Sequence, residues 1–493
     1  MMGTILPKHT VMTRKTLCSK IQEAAKTMKN TIIKTLSTVN YVATTTDCWS
    51  ARQRSYLGVT CHWIHDSTLE RHSAALACRP LKGSHTFDVL AAALEEIHSE
   101  YQIRDKVTRT TTDSGSNFLK AFRIYGEDEE VTNEEEEMDI TNDEASEDEC
   151  ESEVEIQDVS AVLNDNTGLE YQLPRHQKCA CHLLNLMSTV DAAATAATND
   201  TYKRLSRSAF PKCSALWNKT SRSTMAFEIV ERECKLQFLQ PTQTRWSSLF
   251  LAVERVVCIQ KEQGEAAIQN VCTALKIKMF NPAEFGFLAG YTAVMKPVAM
   301  AINILQGETS VHMGFLLPTL YQLQEKLIRL ELSCKVCRAL VDALLNGIQK
   351  RFGGAMEDPE LIAAAILLPL ILLRFRTFWT TKECILKAGL DFIRNHLDTD
   401  SDDGSTNSSR YDEGDFFASM KSGKPQAGEL ERYLSCPSSE GMDLLHTFPH
   451  IKKLSLKLNT GLPASAASKR LFNHAGLMFT AKRSQLHSKN LEA

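Results

Sequence analysis

Two aspartates follow threonine runs in this chain: Asp47 in "ATTTDCW" and Asp113 in "RTTTDSG". Each ends a predicted strand and precedes a turn. If the two strands are neighbours, both carboxylates meet at one end of a sheet. Carboxylates placed there would hold divalent cations, and two Mg²⁺ ions about 4 Å apart can drive in-line phosphoryl transfer. Aspartate at a strand end is also a common turn or helix-cap residue, so spacing alone leaves both roles open.

Other residues with chemical potential are weaker signals. "KCACH" offers Cys179 and His182 as C-x-x-H, but a zinc site needs four ligands and no matching pair follows at finger spacing. Cys334 and Cys337 form a C-x-x-C that the pattern places inside an amphipathic helix, again without a second half. Packing is the expected role for both sets. In "TQTRWSSLF", Arg245 stands beside Trp246. Such a pair on an exposed turn can contact phosphate and stack on an unpaired base, although tryptophan is more often a core anchor.

The elements that must position these residues follow from periodicity. Residues 13–38 read as one basic helix carrying Lys15, Lys20, Lys26, Lys29 and Lys34. "YVATTTDCW", "SYLGVTCHWIH" and "LERHSAALACRPL" then read as three antiparallel strands split by polar turns. A helix over 85–102 puts Phe87, Leu90, Ala91, Leu94 and Ile97 on one face, and a fourth strand ends at Asp113. This order predicts a mixed sheet covered by helices. "HQKCACHLLNLM" reads as a last strand passing into a helix, and from about 186 to 400 nearly everything has helical periodicity.

Composition narrows the classes. The run 127–158 holds 18 Asp and Glu and no Lys or Arg, which leaves 42 acids against 56 Lys plus Arg elsewhere, a net of +14. Dense like charge and few apolar residues predict a disordered insertion at 127–168. The basic remainder suits a polyanionic partner. Fifteen scattered cysteines predict a reducing compartment. No signal peptide is expected in "MMGTILPKHT", and "LIAAAILLPLILL" (361–373) is too short to span a bilayer, so it is expected to be a buried core helix.

Seven motifs in order resemble the hAT superfamily of cut-and-paste DNA transposases and the host proteins derived from them. They are "TTDCWS", "TTDSGSNFLKAF", "KCACHLLNL", "TRWSS", "MKPVAMAINILQGE" with "MGFLLPTL", "FPHIKKLSLKLN" and "SAASKRLFNHAGLMFTAKRSQLHSKNLE". The resemblance implies an α/β plus all-α architecture: an RNase H-like mixed sheet interrupted by a long helical insertion and closed by a C-terminal dimerisation segment. The expected divisions are a basic helix (1–39), the first part of the core (40–126), the acidic insertion (127–168) and the last core strand (169–187). A helical domain (188–397), a polar linker (398–440) and the dimerisation segment (441–493) follow. The resemblance further implies that Asp47 and Asp113 match metal-binding carboxylates and that Cys179 and His182 match a C-x-x-H element near the site. It implies that Trp246, with Arg245, meets transposon-end DNA, and that Leu471, Phe472, Leu477 and Phe479 lie in the dimerisation segment.

One departure bears on activity. The family reads S-A-x-x-E-R-x-F, its glutamate being the third metal-binding acid, whereas this chain reads "SAASKRLF" with Lys469 there. An ammonium near two Mg²⁺ ions adds like charge where a ligand belongs, so Lys469 is expected to pair with the aspartates in the metals' place. The BED-type zinc finger of the family has no counterpart in residues 1–40, so sequence-specific DNA reading is not expected from that element. The apolar run that family members carry beyond "KNLEA" has no counterpart either, so a weakened dimer is expected. The expected protein is a catalytically silent, nuclear, DNA-associated regulator that dimerises with itself or a relative. No cofactor is expected, and Mg²⁺ only if the alternative holds. That alternative is an active transposase cutting DNA with Mg²⁺; a further one is a protein scaffold without DNA.

Overall fold

The computed structural model describes residues 12–51, 54–81, 83, 85–126, 171–242, 246–369, 371, 383–399, 427–436 and 441–478. The acidic run expected as an insertion (127–168) lies outside the described residues. The chain divides into two compact units. One holds Met1–Cys179, Glu308–His312 and Leu456–Ala493; the other holds Ala180–Gly307 and Met313–Ser455.

In the first unit, α1 (Arg14–Ser37) leads into β1 (Val42–Ala51), β2 (Arg54–Ile64) and β3 (Arg71–Leu81). Then come α2 (Phe87–Glu100), β4 (Val107–Thr112), α3 (Ser116–Tyr125) and β5 (His176–Lys178). The sheet order is β3-β2-β1-β4-β5. β1–β2 and β2–β3 are antiparallel, while β4 lies parallel to β1 and β5 parallel to β4. The mixed sheet expected from the sequence is therefore present, with α2 as the crossover that brings β4 beside β1.

One core holds Leu57, Val59 and Cys61 of β2 with Leu90, Leu94 and Ile97 of α2 and Phe118 and Phe122 of α3. Buried threonines bond across strands: Thr45 to Thr60 and Thr44 to Thr110, each at 2.7 Å between hydroxyl oxygens. Those pairs satisfy polar atoms that would otherwise be costly to bury. They also explain why threonine runs make central strands here.

The second unit is helical, including α4 (Ala180–Leu186), α5 (Asp200–Thr220), α6 (Trp246–Gln263), α7 (Glu265–Ala274) and α8 (Pro282–Leu305). α9 (Leu316–Glu331), α10 (Arg338–Glu357), α11 (Pro359–Ile366) and α12 (Ala427–Ser435) follow, and the chain then runs through α13 (Pro449–Asn459) to α14 (Ala466–Met478). α8 starts at a capping box, in which Asn281 and Glu284 bond each other's backbone, with Pro282 in the first turn. Among the described residues α8 is one helix long and apolar enough to cross a membrane, and half of that stretch is buried inside the fold, as in a core helix. Leu361–Ile366 of the apolar run are buried too.

Two expectations need correction. Cys334 and Cys337 lie in the connection between α9 and α10, not inside one helix. Cys337 is buried against Gly290, and burial pushes its thiol up to about 12. The stretch expected as a polar linker contains α12, whose Leu430 and Tyr433 are fully buried. Its Glu429 carboxylate accepts the backbone N–H groups of His450 (3.0 Å) and Ile451 (3.1 Å), capping the start of α13.

Candidate active site

The parallel pairing of β1 with β4 sets Thr45 against Thr111. Continued two residues, that register brings Asp47 level with Asp113 on the same sheet face. The two carboxyl groups are near enough for the charge of Asp113 to act on Asp47. Asp47 Oδ1 accepts the Cys48 N–H at 2.9 Å, and Asp113 Oδ1 accepts the Gly115 N–H at 3.3 Å. Like charges held near each other favour a proton on one of them.

The third participant is Lys469 in the first turn of α14, whose ammonium lies 3.8 Å from Asp47 Oδ2. The lysine side chain is 44% exposed and the aspartate 8%. Solvent screens such a half-open pair, which is worth no more than about 1 kcal/mol. It does not outweigh the opposing effects. Burial, then the charge of Asp113, push the Asp47 carboxyl up to about 7, with Lys469 pulling the other way. The same burial and the two carboxylates push the neighbouring Cys48 thiol up to about 12.

The raised carboxyl has a consequence for stability. Around Asp47 the folded chain keeps a proton that the unfolded chain, with an ordinary carboxyl near 3.8, releases. The stability from that proton is complete below the unfolded value and is lost as pH rises through about 7. Asp47→Asn copies the protonated form, so at pH 8 it should be more stable than wild type by about 2–4 kcal/mol. At pH 4 the gap should close. Urea melts at the two pH values check this, and an equal gap at both would contradict it.

α14 is seated by an aromatic anchor. Phe472 is 6% exposed and stacks on Trp49 with ring centres 5.6 Å apart, with Tyr56 and Cys78 in the same cluster. Beneath the ring is Gly58, the β2 residue paired with Asp47; a Cβ there would lie 2.5 Å from the Phe472 ring. A glycine inside a strand marks such close approach. Phe472 stands one helical turn after Lys469, so its seat delivers the ammonium to Asp47.

The segment before α14 is held equally firmly. Thr111 Oγ1 donates to the Leu462 carbonyl at 2.7 Å, and the Ser465 N–H donates to the Cys179 sulfur at 3.3 Å. The buried Arg71 donates to the carbonyls of Thr460 (2.7 Å) and Asn459 (2.5 Å) and to His312 Nδ1 (3.0 Å). Beside Lys469, Arg470 pairs with Glu308 at 2.7 Å.

The sequence candidates thus divide. Asp47, Asp113 and Lys469 come together, and Cys179 is a buried anchor for the chain entering α14. His182 sits in α4 of the other unit. Arg245 lies outside the described residues; Trp246 opens α6, and its side chain is outside them too. Leu471 and Phe472, of the expected dimerisation segment, pack on the sheet of their own chain, Leu471 remaining partly exposed. The Leu477 side chain and all of Phe479 lie outside the described residues. Gly58, Trp49, Tyr56 and Arg71 escaped the sequence reading, although a glycine in mid-strand was a usable signal.

Two-metal chemistry needs more oxygen ligands than two carboxylates supply. Here a cation stands beside Asp47, and among the described residues no group of three His, Cys, Asp or Glu is placed to hold a metal ion. The donor set does not fit a pair of Mg²⁺ ions.

Comparison with known proteins agrees with this part of the fold. Residues 45–131 match the family model described as the ZBED1 RNase-like domain, a span containing both aspartates. Over 104 residues the chain is 29% identical to the "Putative transcriptional regulator tpeD" of Talaromyces stipitatus, covering 21% of this chain. The matched stretch spans only 12% of that fungal protein's length. The chain therefore carries a ZBED-like, RNase-like segment.

Proposed function

We propose that this chain derives from a hAT transposase, that its strand-cutting site is silent, and that it acts in the nucleus as a DNA-associated regulator. The observation that carries the reading is the Lys469 ammonium, 3.8 Å from Asp47 in the place where a third acid would complete a metal clamp. The ZBED1 RNase-like match and the regulator title of the fungal relative support the ancestry and the class of role. Outside the acidic run the chain has a net charge of +14, which favours phosphate-backbone contact over readout of bases.

The test has two halves. With Mg²⁺ and hairpin or duplex DNA the chain should leave every strand intact; Mg²⁺-dependent nicking would overturn silence. On duplex DNA it should form a complex that weakens steeply with salt, and absence of a complex at low salt would remove DNA association. The acidic run 127–158 should compete with DNA for basic surface. Its deletion is expected to tighten binding severalfold, and unchanged affinity would dismiss the competition.

A further inference from the structure

In the helical unit a cavity of about 370 Å³ opens between α5 and the connection from α7 to α8. Five cations line it: Arg207, Lys212 and Lys219 from α5, and Lys276 and Lys278 from the connection. Glu284 neutralises only one of them. Its side chain is 1% exposed and takes the Lys212 ammonium at 2.6 and 2.7 Å, along with the Ser208 hydroxyl. Arg207, Lys276 and Lys278 meet no carboxylate among the described residues, and their side chains are exposed.

The groove is held open by its own lysines. Lys212 also donates to the Met279 carbonyl at 2.8 Å, and Lys219 donates to the carbonyls of Leu275 (2.6 Å) and Lys276 (3.1 Å). These bonds tie α5 to the connection, so cations on two elements converge without waiting for a ligand. Lys276 itself sits at a φ of 51°, a left-handed conformation that turns the connection where the second wall begins. Unpaired like charges held close repel one another, and a ligand that brings several negative charges relieves that cost. A phosphodiester backbone matches, because its charges recur along the line that α5 follows; Arg207 to Lys219 spans about 18 Å of helix.

We infer that this groove, between α5 and the α7–α8 connection, is where the chain grips the phosphate backbone of duplex DNA. The inference rests on the DNA-associated reading above and assigns it a surface in the helical unit. Contact is to phosphates, so it fixes position on the duplex without specifying sequence.

The test compares two triple variants of the full chain. One is Arg207→Gln, Lys276→Asn, Lys278→Gln; asparagine tolerates the left-handed backbone at 276. The other removes equal charge from exposed α1 through Lys15→Gln, Lys20→Gln, Lys26→Gln. Lys212 and Lys219 stay, because they hold the groove together. Affinity for a 30-base-pair duplex is measured by fluorescence anisotropy from 50 to 300 mM salt, after thermal melts verify folding. The groove variant should bind about tenfold or more weakly at 100 mM salt, with the slope of log affinity against log salt reduced by about 2–3. The α1 variant should change less than about threefold. Equal losses in both, or an unaltered groove variant, would overturn this assignment while leaving DNA association intact. A wild-type chain that binds no duplex at 50 mM salt would overturn both.

Discussion

Lys469→Glu should turn a chain indifferent to Mg²⁺ into one that Mg²⁺ stabilises. In the wild type, two carboxyl groups lie near each other and an ammonium stands 3.8 Å from one of them. A divalent ion entering there must face a cation. With glutamate at 469, three acids converge at the sheet, the third from a half-open position. Without metal they repel one another, and the variant should be less stable than wild type at pH 8. With 10 mM Mg²⁺ a third ligand is present, and a dissociation constant near 1 mM would return about 1.4 kcal/mol. A melting-temperature rise of about 3–6 °C is then expected for the variant, and under 1 °C for the wild type. Isothermal titration should show Mg²⁺ heats for the variant alone. A wild type stabilised as strongly, or a variant indifferent to Mg²⁺, would remove the idea that lysine stands in place of an acid.

How much of this was legible beforehand depends on how local each signal is. The aspartates could be placed because each follows a threonine run and the strand order permits β1 and β4 to be neighbours, although β1 continues past Asp47 to Ala51 instead of ending there. Lys469 could be identified because a short motif fixes its position. What hid was information carried by distant residues. Gly58 and Phe472 are separated by most of the chain, and no local pattern says that a ring will rest on that glycine. The same holds for Arg71, which finds its carbonyl partners at Asn459 and Thr460. Helix α12 was hidden because nine residues with two buried apolar side chains, Leu430 and Tyr433, leave too short a periodicity inside a polar stretch. The break at Cys334 and Cys337 was missed because "ELSCKVC" offers neither glycine nor proline to mark a helix end.

The seat beneath α14 gives the other large effect. Phe472→Ala removes a ring that stacks on Trp49 and covers Gly58, and should cost about 3 kcal/mol in urea unfolding. It should also release Lys469, since the helix turn carrying the ammonium loses its anchor. Asp47 then loses the neighbouring positive charge that favours its ionised form, so its carboxyl should titrate higher still. Gly58→Ala attacks the same contact from below. The new Cβ would sit 2.5 Å from the ring, closer than packed carbons allow, at a cost of about 1–3 kcal/mol. Combining Gly58→Ala with Phe472→Leu, whose shorter side chain vacates that space, should cost less than the sum of the two single changes by about 1 kcal/mol or more. Additivity within about 0.3 kcal/mol would mean that the ring does not rest on that glycine in solution. The position of Lys469 against Asp47 would then need another cause.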